Sequence, residues 1–121
     1  MAPTPQQRLG RLGEQLALEH YERLGFELLA RNHRTRSGEL DLVVADPDTI
    51  VFAEVKTARL TALDPLVSIT QRKLARLRRL AREWLATAPH CRRRGVRLDV
   101  IAIVLDEHDR LVALEQFADV G

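Results

Sequence analysis

Residues 38–56 of the 121-residue chain read GELDLVVADPDTIVFAEVK and carry its strongest hairpin signal. Two apolar runs, residues 40–45 and 50–55, flank a segment whose Asp, Pro and Thr residues are typical of a four-residue turn. Polar and apolar residues alternate at the end of each run that lies farther from the turn. The pattern therefore predicts a β-hairpin with a turn at residues 46–49.

The register of this hairpin gathers charged residues. If the residues that flank the turn pair with each other, antiparallel counting places Asp41 opposite Glu54 and Glu39 opposite Lys56. Side chains alternate between the faces of a sheet, so all four are predicted to project to one side, with directly opposed Cβ atoms about 5 Å apart. Two carboxylates, Asp41 and Glu54, would then converge.

Converging carboxylates repel each other and call for a cation. Mg²⁺ or Mn²⁺ binds a few carboxylates and keeps open positions for water and a phosphate oxygen, so Asp41 and Glu54 are candidate ligands. Lys56 would then orient the attacking water or stabilise charge on phosphorus in phosphodiester hydrolysis. The same alternation also fits a hairpin whose polar side merely faces solvent, with Lys56 in an exposed ion pair of little energetic weight.

The first predicted helix has a clear start. Thr4 is a candidate N-cap, Pro5 suits the first helical position, and Gln7 can complete a capping box, so a helix is predicted from there to about residue 25. Its apolar stripe is predicted to be Leu9, Leu12, Leu16 and Leu24, and its second face Gly10, Glu14, Ala17, Leu18 and Tyr21.

The remaining segments complete one mixed architecture. They are a strand at residues 26–32, a basic turn at 33–38, a helix introduced by residues 64–68 that ends near residue 88, and strands at 96–105 and 111–117. This order predicts an α/β (α+β) fold in which helices flank a mixed central β-sheet. The short connections and the absence of repeats favour a single domain over residues 1–121.

Composition excludes several classes of protein. No apolar run approaches the length that spans a bilayer, and the polar start of the chain lacks the pattern of a secretory signal, so a cytoplasmic protein that does not contact the membrane is expected. Cys91 is the only cysteine, which rules out an internal disulfide and a thiolate-rich zinc site, and its neighbours suggest a solvated loop. Asp99 interrupts an apolar strand and needs a partner such as Arg97, so a structural role is favoured for it.

Basic residues concentrate in one region, although the net charge is only +2. Residues 72–97 contain eleven basic residues, counting His90, against one acid, Glu83. This distribution suits a face that meets nucleic-acid phosphates, although many such rows are ordinary solvated faces. The candidate phosphate-binding residues are Lys73, at the start of the second helix, and the row Arg72, Arg76 and Arg79.

Several motifs resemble those of a known family. Residues 38–43 followed by residues 52–57 resemble the PD-(D/E)xK nuclease motif, and nearly the whole chain is similar to the small bacterial YraN family. The family motifs correspond here to Gly-x-x-Gly-Glu at residues 10–14, Gly-Glu-Leu-Asp at 38–41 and Glu-Val-Lys at 54–56. Further similarity covers residues 69–73 and 97–100.

The resemblance implies a restriction-endonuclease-like core and a metal-dependent DNA endonuclease. Asp41, Glu54 and Lys56 would be catalytic, and Glu39 would support them. The wider similarity to archaeal Holliday-junction resolvases implies that Glu14 is a third metal-site acid, that branched or recombination intermediates are substrates, and that a homodimer provides two active sites. Two alternatives are a nucleic-acid-binding module without catalysis of its own, and a structural adaptor that binds neither metal nor nucleic acid.

Overall fold

The computed structural model describes residues 2–61, 69–91 and 94–121. Its helices and strands are α1 (Pro5–Arg23), β1 (Glu27–Thr35), β2 (Gly38–Ala45), β3 (Thr49–Arg59), α2 (Gln71–Thr87), a short 3₁₀ helix (Pro89–Cys91), β4 (Gly95–Leu105) and β5 (Leu111–Phe117).

The five strands form one sheet in the order β1-β2-β3-β4-β5. All neighbours are antiparallel except β3 and β4, which are parallel because α2 carries the chain back across the sheet. Each helix covers one face: α1 packs on the side of Leu42 and Val51, and α2 on the side of Val43 and Phe52. The predicted mixed sheet with flanking helices is confirmed.

The central hairpin forms where it was predicted. Its turn is closed by the Asp46 carboxylate, whose Oδ1 accepts hydrogen bonds from the backbone N–H of Asp48 at 2.9 Å and of Thr49 at 2.7 Å. Both strands are continuously apolar here, and successive side chains point alternately towards α1 and α2. Residues 42–45 and 50–53 are therefore all buried. The hairpin lies at the middle of the sheet and positions the acidic residues at its open end.

Helix α1 begins as predicted, and the residues that it buries agree with the prediction in part. Thr4 and Gln7 form the full capping box. The predicted stripe is wrong at Leu12 and Leu24, whose exposed fractions are 37% and 54%. The buried residues of the helix are Leu9, Gly13, Ala17, Leu18 and Tyr21. Small residues on this face let the helix axis approach the sheet more closely than a leucine stripe would allow.

Gly13 is the point of closest approach between α1 and β3. A Cβ atom added there would collide with the Thr57 side chain, lying 2.8 Å from its Cβ and 2.9 Å from its Cγ2. Nothing lies within 4 Å of a Cβ added at Gly10. The glycine at position 13 therefore sets the depth at which its neighbour Glu14 meets the sheet.

We expect opposite effects from alanine at these two glycines. Gly13→Ala should destabilise the protein by about 1–3 kcal/mol because the helix must move away from Thr57. Gly10→Ala should stabilise it by about 0.5–1 kcal/mol because alanine favours the helical backbone. Urea unfolding of both variants measures this. Equal free energies of unfolding for the two variants would contradict the close approach.

Three other predictions need correction or lie beyond the described residues. The predicted turn at residues 33–38 is too long, because β1 continues to Thr35 through its ladder with β2. Cys91 is buried beneath α2, so the predicted solvated loop is wrong there. Residues 64–68, predicted to introduce the second helix, lie outside the described residues, and α2 is described from Gln71. None of the described helices is both long and apolar enough to cross a bilayer.

Asp99 is fully buried and holds α1, β4 and β5 together. Tyr21 Oη donates to its Oδ2 at 2.7 Å, and the Arg97 guanidinium donates to both carboxylate oxygens at 2.9 Å. Gln116 Nε2 and the Asp119 backbone N–H complete the shell at 3.0 Å each. Burial alone would raise the pKa of Asp99, but these donors outweigh it and hold the pKa below its usual value. The predicted partner Arg97 is confirmed.

Candidate metal centre

The two strands of the central hairpin separate at the acidic residues. Their ladder runs from Ala45–Ile50 to Leu42–Ala53 and ends there. Beyond it, the Val55 backbone N–H donates to Asp41 Oδ2 at 2.8 Å. The predicted direct pairings of Asp41 with Glu54 and of Glu39 with Lys56 are therefore wrong. The physical reason is that the Val55 N–H donates to the Asp41 carboxylate instead of to a backbone carbonyl of β2. Strand β3 then continues along β4 alone.

Asp41 also marks a break in the alternation of β2. Leu40 and Val43 both face α2, although an uninterrupted strand would place them on opposite faces. Across from Asp41 in the β1–β2 register lies Asn32, whose φ of 50° is left-handed. Asparagine tolerates this backbone conformation better than most residues. The break at this position turns Asp41 into the gap between β2 and β3.

The acidic side chains consequently occupy both faces of the sheet. On the α1 side, the Asn32 amide nitrogen donates to the two carboxylate oxygens of Glu14 at 2.9 and 3.2 Å and to Glu39 Oε1 at 3.3 Å, in the amide orientation that satisfies its neighbours. On the α2 side, Arg76 Nη1 lies 3.5 Å from Glu54 Oε1. The prediction that one face carries Glu39, Asp41, Glu54 and Lys56 is wrong, and Asp41 lies between the two groups.

Electrostatics nevertheless tie these acids into one cluster. The pKa of Asp41 is raised to about 7, chiefly by burial and also by the charges of Glu14, Glu54 and Glu39, while the Val55 hydrogen bond lowers it. Burial also raises the pKa of Glu14, which the hydrogen bond from Asn32 opposes. Acids from α1, β2 and β3 thus act on a single half-buried carboxylate, which a nearby cation would stabilise.

The donor set fits a hard divalent cation bound mainly by water. Among residues 2–61, 69–91 and 94–121, no three acidic, histidine or cysteine side chains come close enough to form a ready metal cage. Mg²⁺ does not require one, because it commonly binds one or two carboxylates and keeps several waters. Asp41 and Glu54 could supply those carboxylates, with Glu14 and Glu39 adding negative charge on the α1 side.

Lys56 lies next to this cluster along β3. It is exposed, and strand alternation puts it on the same side of β3 as Glu54, facing α2. Its side chain forms no ion pair with another residue that the structure describes. Its exposed position and its place beside Glu54 make it the lysine to consider for a role at this site.

The predicted phosphate-binding residues lie together on α2. Thr70 caps this helix through Lys73 N at 3.2 Å, which places Lys73 in the first turn, where backbone N–H groups favour anions. The exposed side chains of Arg72, Arg76 and Arg79 follow at helical spacing. Contact between Arg76 and Glu54 shows that this row borders the acidic cluster.

Three contributors to the site escaped sequence reasoning. Asn32 gave only the weak signal that asparagine accepts a left-handed backbone. Gly13 belongs to the Gly-x-x-Gly-Glu motif at residues 10–14, in which only Glu14 was given a role. Glu83, the one acid of the basic region, accepts a hydrogen bond from the Ser37 backbone N–H at 3.2 Å and ties the β1–β2 turn to α2. Only the structure reveals these contacts, because each joins distant parts of the chain.

Comparison with known proteins places the site within a matched region. The family model described as "Uncharacterised protein family UPF0102" matches residues 13–103, which include the acids of the cluster, Lys56 and α2. A UPF0102 protein of Corynebacterium efficiens is 43% identical over 118 residues, covering 97% of this chain and 94% of the relative. UPF0102 proteins of Acidothermus cellulolyticus and Kineococcus radiotolerans are each 46% identical, covering 90% and 82% of this chain and 92% and 82% of the relatives.

Proposed function

The chain belongs to the UPF0102 family, and we propose that it is a cytoplasmic, metal-dependent endonuclease that hydrolyses DNA phosphodiester bonds. One observation carries this proposal. A half-buried Asp41, whose pKa is raised to about 7, lies in a cluster of acids from three elements, and this cluster borders an exposed arginine row through Glu54. Acids that a cation would stabilise, beside a cationic face, suit a site that binds metal and phosphate together.

The acids would hold the cation at the gap between β2 and β3. Asp41 and Glu54 are its proposed ligands, with Glu14 as a third acid and Glu39 in support. When bound, Mg²⁺ or Mn²⁺ would polarise the scissile phosphate and make a bound water more acidic. The Val55 N–H keeps Asp41 pointing into the gap, and Asn32 keeps Glu14 and Glu39 together on the α1 side.

The reaction is a hydrolysis in which no group is oxidised or reduced. The water oxygen forms a bond to phosphorus, and the bond between phosphorus and one ester oxygen breaks. The water loses a proton, and the departing oxygen gains one. In this scheme the Lys56 ammonium donates a hydrogen bond to a non-bridging phosphate oxygen and stabilises the charge that accumulates there.

The arginine row would fix the DNA backbone above the acids. Arg72, Arg76 and Arg79 present guanidinium groups that match phosphate geometry, and Lys73 adds a charge at the start of α2. Contacts of this kind position a backbone without reading its sequence. Branched recombination or repair intermediates are the substrates to test first, and a homodimer would supply the two active sites that symmetric cleavage of a junction requires.

A second function is favoured by one contact. Glu54 forms an ion pair with Arg76, and the described side chains include no group of three potential metal ligands. A nucleic-acid-binding module that does not cleave would tolerate that arrangement. It predicts DNA binding without hydrolysis, and binding that is unaffected by the loss of a site acid.

Cleavage assays with two lysine variants separate these functions. We propose to incubate single-stranded, duplex, flapped and four-way-junction DNA with the native protein, Lys56→Met and Lys73→Met, in Mg²⁺ or in a chelator. We expect native cleavage only with metal. Lys56→Met should reduce the cleavage rate by about 10²–10³-fold with little loss of DNA affinity, because it removes transition-state stabilisation.

Lys73→Met is the matched control, since it removes the same charge from the binding face. We expect it to weaken binding and to lower the salt dependence of binding by about one unit, with cleavage restored at saturating protein. Binding without cleavage by the native protein on every substrate would favour the binding module. Equal cleavage by the native protein and Lys56→Met would remove Lys56 from the chemistry.

A further inference from the structure

Arg76 is the one basic side chain of the α2 row for which the structure shows contact with the acidic cluster. Its Nη1 lies 3.5 Å from Glu54 Oε1, with 49% of the arginine side chain and 34% of the glutamate side chain exposed. It also crosses the start of β2, where a Cβ added to Gly38 would lie 3.0 Å from Arg76 Nη2. Gly38 has a φ of 147°, which favours glycine, and the missing side chain leaves room for the Arg76 guanidinium.

The two sides of the cluster are compensated differently. On the α1 side, Glu14 and Glu39 share a neutral amide from Asn32. On the α2 side, Glu54 meets the full positive charge of Arg76. Arg76 would therefore compete with a divalent cation for Glu54, because the two positive groups cannot both approach the same carboxylate oxygen closely.

The contact is also weak enough to exchange. A single, partly exposed ion pair at this distance contributes about 0–1 kcal/mol, because solvent screens both charges. A guanidinium gains more from two parallel hydrogen bonds to a phosphate, which it forms without deprotonation. Arg76 is long, exposed and part of the row that faces the proposed DNA path, so little has to move for it to change partners.

Resting on the proposed function, we infer that Arg76 is an exchangeable counter-ion. It neutralises Glu54 in the protein that is free of metal and DNA, and it transfers to a DNA phosphate when the divalent cation takes Glu54. Arg76 therefore opposes metal binding in the absence of DNA and supports it in the presence of DNA. The result is a site that loads its metal more favourably once a phosphate backbone is in place.

Metal titration of the DNA-free protein tests this directly. We propose calorimetric titration of Mn²⁺ into the native protein, Arg76→Gln and Arg79→Gln. Both variants lose one charge from the same row of α2, but only Arg76 has been found against Glu54. We expect Arg76→Gln to bind Mn²⁺ about threefold more tightly than the native protein, and Arg79→Gln to differ from it much less.

A second arm measures DNA affinity with Ca²⁺ as a non-hydrolysing metal. Arg76→Gln should bind DNA more weakly than the native protein, so that its effects on metal and DNA have opposite signs. Equal or weaker Mn²⁺ binding by Arg76→Gln, or the same increase in both variants, would overturn the exchange while leaving the nuclease proposal intact. No Mn²⁺ binding by the native protein would overturn both.

Discussion

Asp41→Asn is expected to be more stable than the native protein in metal-free buffer at pH 8. The native carboxylate has a pKa raised to about 7 from an ordinary value of 3.8, so folding at high pH must hold a charge that the site disfavours. Asparagine keeps an oxygen to accept the Val55 N–H and removes the charge. About three pKa units correspond to about 4 kcal/mol, and solvent screening of a half-buried group reduces the expected gain to about 2 kcal/mol.

The sign of the pH dependence follows from the same shift. A carboxyl group whose pKa is higher in the folded state than in the unfolded state destabilises the protein. The destabilisation is complete above the folded-state pKa and disappears as the pH falls towards the unfolded-state pKa. The stability of the native protein without metal should therefore increase as the pH is lowered from about 8 to about 5. Asp41→Asn should not show this increase. Thermal unfolding across this range measures it.

Divalent metal should reverse the order of stability. A ligand that binds only the folded protein stabilises it in proportion to the logarithm of its concentration, so Mg²⁺ should raise the unfolding temperature of the native protein and not that of Asp41→Asn. Asp48→Asn, which removes the same charge from the exposed hairpin turn, is the control and should behave like the native protein. An Asp41→Asn protein less stable than the native one in chelator would show that the acids do not strain the free protein.

Asp99→Ala is expected to cost about 3–5 kcal/mol of stability, the largest loss among the substitutions considered. It removes a fully buried carboxylate that accepts five hydrogen bonds, and it leaves the Tyr21 hydroxyl and the Arg97 guanidinium without their acceptor. Glu107→Ala, at an exposed contact with His108, is the control and should cost less than about 1 kcal/mol. Urea unfolding of both variants measures the difference.

A double-mutant cycle with Tyr21→Phe checks the origin of this loss. Tyr21→Phe alone should cost about 1–2 kcal/mol, and the two changes together should cost less than their sum because they break the same hydrogen bond. The pKa of Asp99 lies below its usual value, so its stabilisation is present at neutral pH and is lost only in acid, opposite in sign to Asp41. Additive effects would show that the network does not act as a unit.

The contrast between Asp41 and Asp99 bears on function. Both are aspartates in apolar strands, on either side of β3 in the sheet, yet only Asp99 is surrounded by donors. Its oxygens are satisfied by the protein and have a structural use. Asp41 accepts one described hydrogen bond and is surrounded by other acids, so it gains most from an added cation. This difference distinguishes the proposed metal ligand from the structural carboxylate.

Local patterns predicted the elements better than their contacts. The hairpin around the turn at residues 46–49, the Thr4 capping box and the last two strands follow from short-range preferences, and all are present in the structure. The buried face of α1 followed only in part, because leucine content suggested Leu12 whereas close packing on Thr57 selected Gly13. Spacing along one helix does not encode what the helix packs against.

The sequence indicated which acids to consider for the candidate site, but it did not predict how they are arranged. Regular pairing would have put Asp41 against Glu54, but a side chain to backbone hydrogen bond at Val55 and the left-handed Asn32 interrupt the regular pattern. Such departures depend on interactions between residues far apart in the sequence. They place Asp41 in the gap of the sheet, where the proposed chemistry needs it.

The most direct test of the proposed nuclease is the Mg²⁺-dependent cleavage rate of Asp41→Asn beside the native protein and Asp48→Asn, on the DNA that the native protein cleaves fastest. We predict a loss of about 10³-fold in Asp41→Asn, in a protein that is folded and more stable without metal, with Asp48→Asn unchanged. Cleavage by Asp41→Asn at the native rate would contradict the assignment of this cluster as a metal-dependent active site.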